Sequence, residues 1–335
     1  MSIRVAVDAM GGDHAPEVVV DGVMSALEKN PEIEILLSGP LSETESRVER
    51  YSPSHPDRLK LIDAPDVISM HDSAAVALKT KTQSSIHLGL GACRNKQAQA
   101  FVSAGNTGAV MAASLFILGR LERVRRPSLI GFFPTLKGHC ILIDAGANVD
   151  CKPEYLVQFA QMGSVYVERV MHRPNPIVAL MNIGEEPGKG NEQAKTTFDL
   201  LAQAPHINFG GNMEGRDLLG HAADVVVTDG FTGNILLKFG ESVATVLPSM
   251  IGAEMDRLSM TKDEQQTVSR ALKGVRDRFD YQMYGGAPLL GVNGTVIIGH
   301  GGSNARAVEN MITNAAEMVT QDVAGSIVRA VADER

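Results

Sequence analysis

Short runs of apolar, mostly β-branched residues punctuate the chain at 3–7, 33–37, 59–62, 101–102, 141–143, 177–181, 225–227 and 296–298. Most are continuously apolar and do not alternate with polar positions. A strand with one wet face alternates; an unbroken apolar run suits a strand buried on both faces of a largely parallel, helix-covered sheet. Between these runs the pattern predicts helices over 16–29, 73–90, 107–118, 153–171, 191–203, 233–257, 263–283 and 303–331. The stretch 107–118 is apolar almost all round and is expected in the core. Strands alternating with helices predict an α/β fold.

One region breaks the alternation. From 240 to 283 two helical patterns succeed each other with no strand between. Thr261-Lys-Asp-Glu264 reads as a capping box opening the second. Val268, Leu272, Val275 and Phe279 then step by four, three and four, a coiled-coil-like stripe. A helical hairpin projecting from the sheet domain is expected, its stripe packed on its partner helix or on a second subunit. The tip, Arg257-Leu-Ser-Met260, offers a membrane surface only Leu258 and Met260. With no repeat and no low-complexity linker, 1–335 reads as one α/β catalytic domain.

The segment after each apolar run is polar and glycine-rich. Val7 leads into Asp8-Ala-Met-Gly11-Gly12-Asp13-His14, and Val102 into Ser103-Ala-Gly105-Asn106-Thr107. Ile143 leads into Asp144-Ala-Gly-Ala-Asn148, and Met181 into Asn182-Ile-Gly-Glu-Glu-Pro-Gly-Lys189-Gly-Asn191. Val227 leads into Thr228-Asp229-Gly-Phe-Thr-Gly-Asn234, and Ile298 into Gly299-His300-Gly-Gly-Ser303-Asn304. Open α/β sheets bind ligands along the carboxyl edge of their strands. Gly, Asn and Asp also simply make turns, so one such loop decides little; six together point to a ligand-binding edge.

Composition narrows the chemistry. Of 335 residues 33 are Gly, and 31 Lys+Arg against 39 Asp+Glu leave a net charge of −8. With 10 Phe, 5 Tyr and no Trp, the chain lacks the aromatic faces on which single-stranded nucleic acid stacks, and its acidity argues against polyanion binding. Nucleic acid is therefore not an expected partner. Cys93, Cys140 and Cys151 are odd in number and form no C-x-x-C pair, so neither a disulfide framework nor a zinc ribbon is expected, and a reducing cytoplasm is the natural setting. The first ten residues, MSIRVAVDAM, lack a long apolar h-region and run directly into a predicted strand, so no signal peptide is expected. The longest nearly apolar stretch, Ala109–Leu118, falls short of the roughly 20 residues that span a bilayer.

Several motifs fail on inspection. Gly184-Glu-Glu-Pro-Gly188-Lys189-Gly190 is too short for a phosphate-binding P-loop and has Gly where Ser or Thr belongs. Gly89-Leu-Gly91-Ala-Cys-Arg94 ends in Arg where a dinucleotide fingerprint needs Gly. Neither G-x-S-x-G nor H-E-x-x-H occurs, and the nine histidines show no metal-ligand spacing, so no metal site is expected and a hydrolase triad, zincin, P-loop NTPase or ordinary Rossmann dehydrogenase is poorly supported. Anion chemistry remains. Ser103, Gly105, Asn106 and Thr107 open a buried helix, where amides, hydroxyls and the helix dipole face one anion. Lys189 stands in a flexible glycine loop within reach of a phosphoryl oxygen. Lys79-Thr-Lys81-Thr-Gln-Ser84-Ser85 gathers cations and hydroxyls. The bland readings, a helix cap, a loop lysine and a solvated face, stay open for each.

Taken together, Asp8-Ala-Met-Gly-Gly-Asp-His14-Ala-Pro16, Ser103-Ala-Gly-Asn-Thr-Gly-Ala109 and Asp144-Ala-Gly-Ala-Asn148 resemble the motifs of the bacterial phosphate acyltransferase (PlsX) family. Asn182–Asn191, Gly211-Asn-Met-Glu-Gly-Arg-Asp217, Asp229-Gly-Phe-Thr-Gly-Asn234, Tyr284-Gly-Gly-Ala-Pro-Leu-Leu-Gly291 and His300-Gly continue the resemblance in family order. It implies a Rossmann-like three-layer α/β/α sandwich with a mostly parallel sheet, related to phosphotransacetylases and isopropylmalate-type dehydrogenases. It implies an acyltransferase that forms acyl phosphate from acyl-[acyl carrier protein] and inorganic phosphate in phospholipid synthesis, without an organic cofactor. It further implies a cytoplasmic homodimer, with peripheral membrane association as an added expectation, that hands acyl phosphate to a membrane glycerol-3-phosphate acyltransferase.

The residues fit such a reaction. Phosphate is itself an anionic nucleophile, so the protein need only hold it against a thioester carbonyl and stabilise the oxyanion. His14 or His300 orients phosphate or protonates the departing thiol, with Lys189 as the third catalytic candidate. Gly11, Gly12, Ser103, Gly105, Asn106, Thr107, Asn234 and Lys238 are assigned to phosphate or oxyanion binding. Asp8, Asp13 and Asp229 position loops, since a carboxylate beside phosphate repels it. An acidic carrier protein meeting a net acidic enzyme needs a basic patch: Arg120, Arg123, Arg125 and Arg126 form one candidate, and Arg270, Lys273, Arg276 and Arg278 another. The competing readings are a nicotinamide dehydrogenase with a divalent metal, and a non-catalytic membrane-associated scaffold.

Overall fold

The computed structural model describes residues 2–51 and 56–332. The strands are β1 (Ile3–Asp8), β2 (Ile33–Gly39), β3 (Leu59–Asp63), β4 (Ala100–Ser103), β5 (Ser128–Thr135), β6 (Gly138–Ile143), β7 (Ile177–Met181), β8 (Asn208–Met213), β9 (Val225–Val227), β10 (Ala287–Leu290) and β11 (Thr295–Ile298). The α-helices are α1 (Glu17–Lys29), α2 (Leu41–Arg50), α3 (Ala74–Thr80), α4 (Ser85–Arg94), α5 (Thr107–Ile117), α6 (Pro153–Arg169), α7 (Glu192–Gln203), α8 (Gly230–Arg257), α9 (Lys262–Arg278), α10 (Ala305–Thr320) and α11 (Val323–Ala332). This is the mostly parallel α/β architecture expected from the strand pattern. Where one domain is expected over 1–335, the chain groups into two compact units: Met1–Ile130 with Gln161–Asn175 and Tyr281–Arg335, and Gly131–Ala160 with Pro176–Asp280.

In the first unit the strand order is β3-β2-β1-β4-β11-β10, with the start of β5 beyond β10. The strands β1, β2, β3, β4 and β11 run parallel, while β10 is antiparallel to both β11 and β5. Val5 stands opposite Ile35 and Ala100, and Ile298 opposite Ser103. Every residue of β4 and of β11 is buried, which is why their sequences show no polar alternation. The register brings the carboxyl ends of β1, β4 and β11 to one edge. In the second unit the order is β5-β6-β9-β7-β8, and β6, β9, β7 and β8 are parallel. Loops 144–148, 182–191 and 228–234 therefore leave one edge of that sheet.

Departures from the sequence pattern have local causes. The helix expected over 73–90 is two, because Ser84 caps α4 by accepting the His87 N–H. The helix expected over 303–331 divides at Asp322, whose φ is +49°. Strands β5, β8 and β10 escape the pattern because their sequences, SLIGFFPT, NFGGNM and APLL, carry Gly or Pro. Pro288 lies outside the Leu289–Leu290 stretch that pairs with β5, so no ladder bond to β5 is lost there.

The helices α8 and α9 form the expected consecutive pair, and the Thr261–Glu264 capping box is made in both directions. Within the stretch 263–283, α9 ends at Arg278 with Phe279 as its cap. Helix α8 starts at Gly230, three residues before the expected 233, because the Asp229 carboxylate accepts the Thr232 N–H at 2.7 Å. Among the described residues it is the one helix long and apolar enough, by length and composition, to cross a membrane. Unbroken apolar runs point instead to Ala109–Leu118, because the polar residues spaced along α8 interrupt every run within it. In the second unit α8 lays a glycine face, Gly230, Gly233 and Gly240, against Asn148, Asp144 and Phe133. Large side chains on the rest of the helix stay exposed, among them Phe231, Ile235, Phe239 and Met250.

Candidate active site

Two residue sets assemble at the strand ends, one in each unit. In the first, the loops after β1 and β4 interlock. Ser103 Oγ donates to Asp8 Oδ2 at 2.6 Å and accepts the Gly105 N–H at 3.0 Å, while the Met10 N–H donates to Asp8 Oδ1 at 3.0 Å. Only Gly fits at position 11: a Cβ there would stand 2.8 Å from the Gly105 nitrogen and 2.9 Å from that of Ala104. The loop after β11 joins them, with the Asp13 N–H donating to the Gly301 carbonyl at 2.8 Å and Gly12 (φ +109°) passing close to the same carbonyl. Gly11, Gly12, Asp13, Ser103 and Gly105 are thus brought together. His14 and His300 both face solvent on these loops, and His300 Nδ1 accepts the Gly302 N–H at 3.2 Å.

Asn106 has another employment than anion binding. Its Oδ1 caps α5 by accepting the Ala109 N–H at 3.1 Å, and its Nδ2 donates to the carbonyls of Met70 and Asp72 at 3.1 and 3.0 Å. The side chain is a staple, whereas Thr107 in the first turn of α5 is exposed. Lys81 is likewise committed, to the Val67 carbonyl at 2.7 Å and Asp72 at 2.5 Å.

Asp8 is 2% exposed. Burial raises its carboxyl above the ordinary 3.8, against the opposing pull of hydrogen bonds from Ser103, Ser85 and the Met10 N–H. A carboxyl that holds its proton more tightly folded than unfolded contributes stability below pH 3.8, and loses it as pH rises through the raised value. Asp8→Asn keeps an acceptor for Met10 and removes the titration. Relative to this variant the wild type is expected to lose stability as pH rises above 3.8. Urea unfolding over a pH series checks this; a wild-type-minus-variant difference that does not change with pH removes Asp8 as the cause.

In the second unit the organising group is Asp144, fully buried at the end of β6. Its Oδ1 accepts the Gly146 and Ala147 N–H groups at 3.1 and 2.9 Å, and its Oδ2 accepts Asn148 N–H and Nδ2 at 2.6 and 2.8 Å. The Asn148 carbonyl accepts the Gly230 N–H at 2.8 Å, so the loop is tied to the start of α8. Asn234, one turn into α8, lies over Gly146, with Oδ1 3.6 Å from where a Cβ would stand. Gln193 Nε2 donates to the Cys151 carbonyl at 2.5 Å, tying the start of α7 to the same loop. Asp144, Asn148 and Gln193 are organising residues to which the motifs alone give no role, because their importance lies in which backbone groups they bind. The Asp144-Ala-Gly-Ala-Asn148 spacing, a carboxylate and then small residues, is the signal the sequence carries for them.

Lys189 sits half-exposed in the loop after β7, its Nζ 3.8 Å from Glu186 Oε1. Asn182 Nδ2 donates to the Lys189 carbonyl at 3.1 Å and Asn212 Nδ2 to the Glu186 carbonyl at 2.9 Å, so the loop is held by its backbone and the ammonium is left to solvent. Lys238 is engaged by Glu241 at 2.8 Å. Burial, reinforced by Asp144, pushes the Cys151 thiol up to about 12, and burial does the same to Cys93. Neither is a thiolate nucleophile near neutral pH.

The two basic patches differ. Arg120 donates to the Arg125 carbonyl at 2.5 Å and Arg123 to the Ala332 carbonyl at 3.3 Å, so that cluster partly folds its own loop. Arg270, Lys273, Arg276 and Arg278 are exposed on α9.

A strand-end site rich in backbone donors, with no low-pKa thiol, agrees with what the chain is similar to. The family profile described as "Fatty acid synthesis protein" matches residues 3–326. A phosphate acyltransferase of Salinibacter ruber is 51% identical over 97% of this chain and 96% of its own length. Those of Chlorobaculum parvum and Halothermothrix orenii are 46% and 45% identical, at 96% and 97% coverage of each chain. A phosphotransacetylase structure from Streptococcus pyogenes aligns with TM-score 0.63 at 14% identity, covering 95% of this chain and 94% of its own, and one from Staphylococcus aureus (EutD) with 0.60 at the same identity and coverage. Those likenesses establish the α/β fold. Identity at this level over nearly the whole chain establishes more: the protein belongs to the phosphate acyltransferase family and is an acyltransferase of fatty acid synthesis.

Proposed function

We propose that the acyl donor is acyl-[acyl carrier protein] and the product acyl phosphate. A phosphate oxygen attacks the thioester carbonyl, the C–O bond forms, the C–S bond breaks, and the carrier's thiol leaves with a proton. The observation that carries this reading is the supply of N–H donors and glycine loops at the strand ends without an activated protein nucleophile. The thiols of Cys93 and Cys151 are pushed up, and Ser103 is buried and donates to Asp8. In this reading the nucleophile arrives with the substrate, and phosphate is one.

In this reading the Gly11–Gly12 and Ser103–Thr107 backbones hold an anion in the first unit. Lys189 and Asn234 do so in the second. A thiol with a pKa near ~8.5 leaves with modest assistance, which His14 or His300 supplies. The exposed arginines and lysine of α9 receive an acidic carrier protein. The exposed apolar side of α8 supports a homodimer. The setting is cytoplasmic, with membrane contact through the α8–α9 tip and delivery of acyl phosphate to a membrane glycerol-3-phosphate acyltransferase.

Incubating the protein with palmitoyl-[acyl carrier protein] and ¹⁸O-labelled phosphate, without nucleotide, is expected to give labelled acyl phosphate and one released carrier thiol per product by mass spectrometry. No product from folded enzyme and intact carrier would overturn the assignment of donor and product.

A further inference from the structure

We propose, on the reading that Lys189 meets phosphate, that Arg216 is a positioning residue that draws carboxylates away from the Lys189 ammonium and so sets the affinity of its loop for phosphate. Within the second unit, loop 182–191 and the turn 214–217 after β8 carry four carboxylates, Glu185, Glu186, Glu214 and Asp217, against two cations, Lys189 and Arg216. Carboxylates within a Debye length of about 8 Å repel an arriving phosphate dianion. The loop holds an anion better the more of them are engaged elsewhere.

The turn that carries Arg216 is fixed from within. The Glu214 N–H donates to Asp217 Oδ2 at 3.0 Å, and the Glu214 carboxylate accepts the Asp217 N–H. On this platform Arg216 Nε lies 3.0 Å from Glu214 Oε2 and 4.0 Å from Asp217 Oδ1, while Nη2 lies 3.6 Å from Glu185 Oε1. One guanidinium thus serves three of the four carboxylates, which its planar fan of donors allows. Glu185 is the one that matters to Lys189, because it belongs to the same loop. The Lys189 stem folds over Gly184, next to Glu185: a Cβ at 184 would stand 2.9 Å from Lys189 Cγ and 3.0 Å from Glu186 Oε2. Glu186 already faces the ammonium at 3.8 Å. Released from Arg216, Glu185 would add a second carboxylate on that side.

Exposure separates this role from a structural one. The side chains of Arg216 and Glu185 are 70% and 66% exposed, and surface pairs of this kind contribute little to folding. The backbone of the loop is held independently by Asn182 and Asn212. Arg216 is itself a poor phosphate ligand, since the three carboxylates around it offset its attraction for an anion. What it changes is the field at Lys189. Losing that field weakens phosphate binding in ground state and transition state alike, which raises KM and spares kcat.

The full-length protein and inorganic phosphate test this, by ³¹P line broadening without acyl donor and by the phosphate KM of phosphorolysis. Arg216→Ala is expected to weaken phosphate binding and raise KM about three- to tenfold at low ionic strength. Its kcat and Tm should stay close to wild type, and the difference should shrink as salt is added. Arg216→Lys keeps the charge and is expected to retain most of the affinity. Adding Glu185→Gln to Arg216→Ala removes the released carboxylate and is expected to restore binding. Unchanged affinity in Arg216→Ala at low salt overturns the proposal. So does a fall in kcat alone, or a failure of Glu185→Gln to restore binding, which would make the guanidinium a direct ligand of phosphate. Because line broadening needs no acyl donor, it separates these outcomes from failure of the proposed donor. Wild-type affinity in Lys189→Ala overturns the reading of Lys189 and the role of Arg216 with it, whereas a loss there with none in Arg216→Ala overturns the role of Arg216 alone.

Discussion

Gly233→Ala is expected to disable this protein by crowding alone. A Cβ at 233 would stand 1.9 Å from the Asp144 carbonyl oxygen and 2.8 Å from Thr228 Cγ2. The first of these is backbone and cannot swing aside, so α8 must lift away from the 144–148 loop. Overpacking of a formed interface costs roughly 1–3 kcal/mol and more when backbone is struck. A loss of roughly 3 kcal/mol corresponds to a fall in Tm of roughly 4 °C for a chain of this length. Because Asn148 and Asn234 belong to the same contact, turnover falls with stability. The matched control is Gly252→Ala in the same helix, where nothing lies within 4 Å of the added methyl and alanine's better helix propensity leaves stability unchanged or slightly raised. Equal melting temperatures for the two variants would show that α8 does not need this approach.

Lys189→Ala is expected to remove function without removing structure. The loop that carries it is held through the carbonyls of Lys189 and Glu186 by Asn182 and Asn212, and those bonds do not involve the ammonium. Its pairing with Glu186 is long and exposed, a contact of small worth, so Tm should move little. Losing one positioned electrostatic contact to a reacting anion commonly costs about 10²–10³ in rate. The fall should appear in kcat/KM for phosphate, with partial recovery in Lys189→Arg, which restores charge with a different donor geometry. Wild-type phosphate dependence in Lys189→Ala would remove this residue from the site. The contrast with Gly233→Ala separates a side chain proposed to act on the anion from a backbone position that shapes the α8 contact.

The primary sequence determined, by itself, the parts of this protein that depend on neighbours along the chain. Continuous apolar runs such as Val225–Val227 mark strands buried on both faces, because burial removes any reason to alternate. The capping box at Thr261 and the glycine-rich segments after Val7, Val102 and Ile143 are legible because a cap or a tight turn is built within a few residues. The order of those motifs also sufficed to resemble the right family. The tertiary structure alone decided which groups those residues spend themselves on. Asn106 looks like an anion donor in sequence and is a staple to the 70–72 backbone. Lys238 looks like part of a cradle and is held by Glu241. Asp144 appears in sequence only as part of a glycine-rich motif, and in the fold it accepts the N–H groups of Gly146, Ala147 and Asn148 and the Asn148 side-chain amide. The division into two units, the strands β5, β8 and β10, and the close approach of Gly233 to Asp144 arise from contacts between distant segments. Hydrogen-bond capacity is finite and directional, so a polar side chain's role is settled by the partner that reaches it first in space, and that partner is not written at any fixed spacing along the chain.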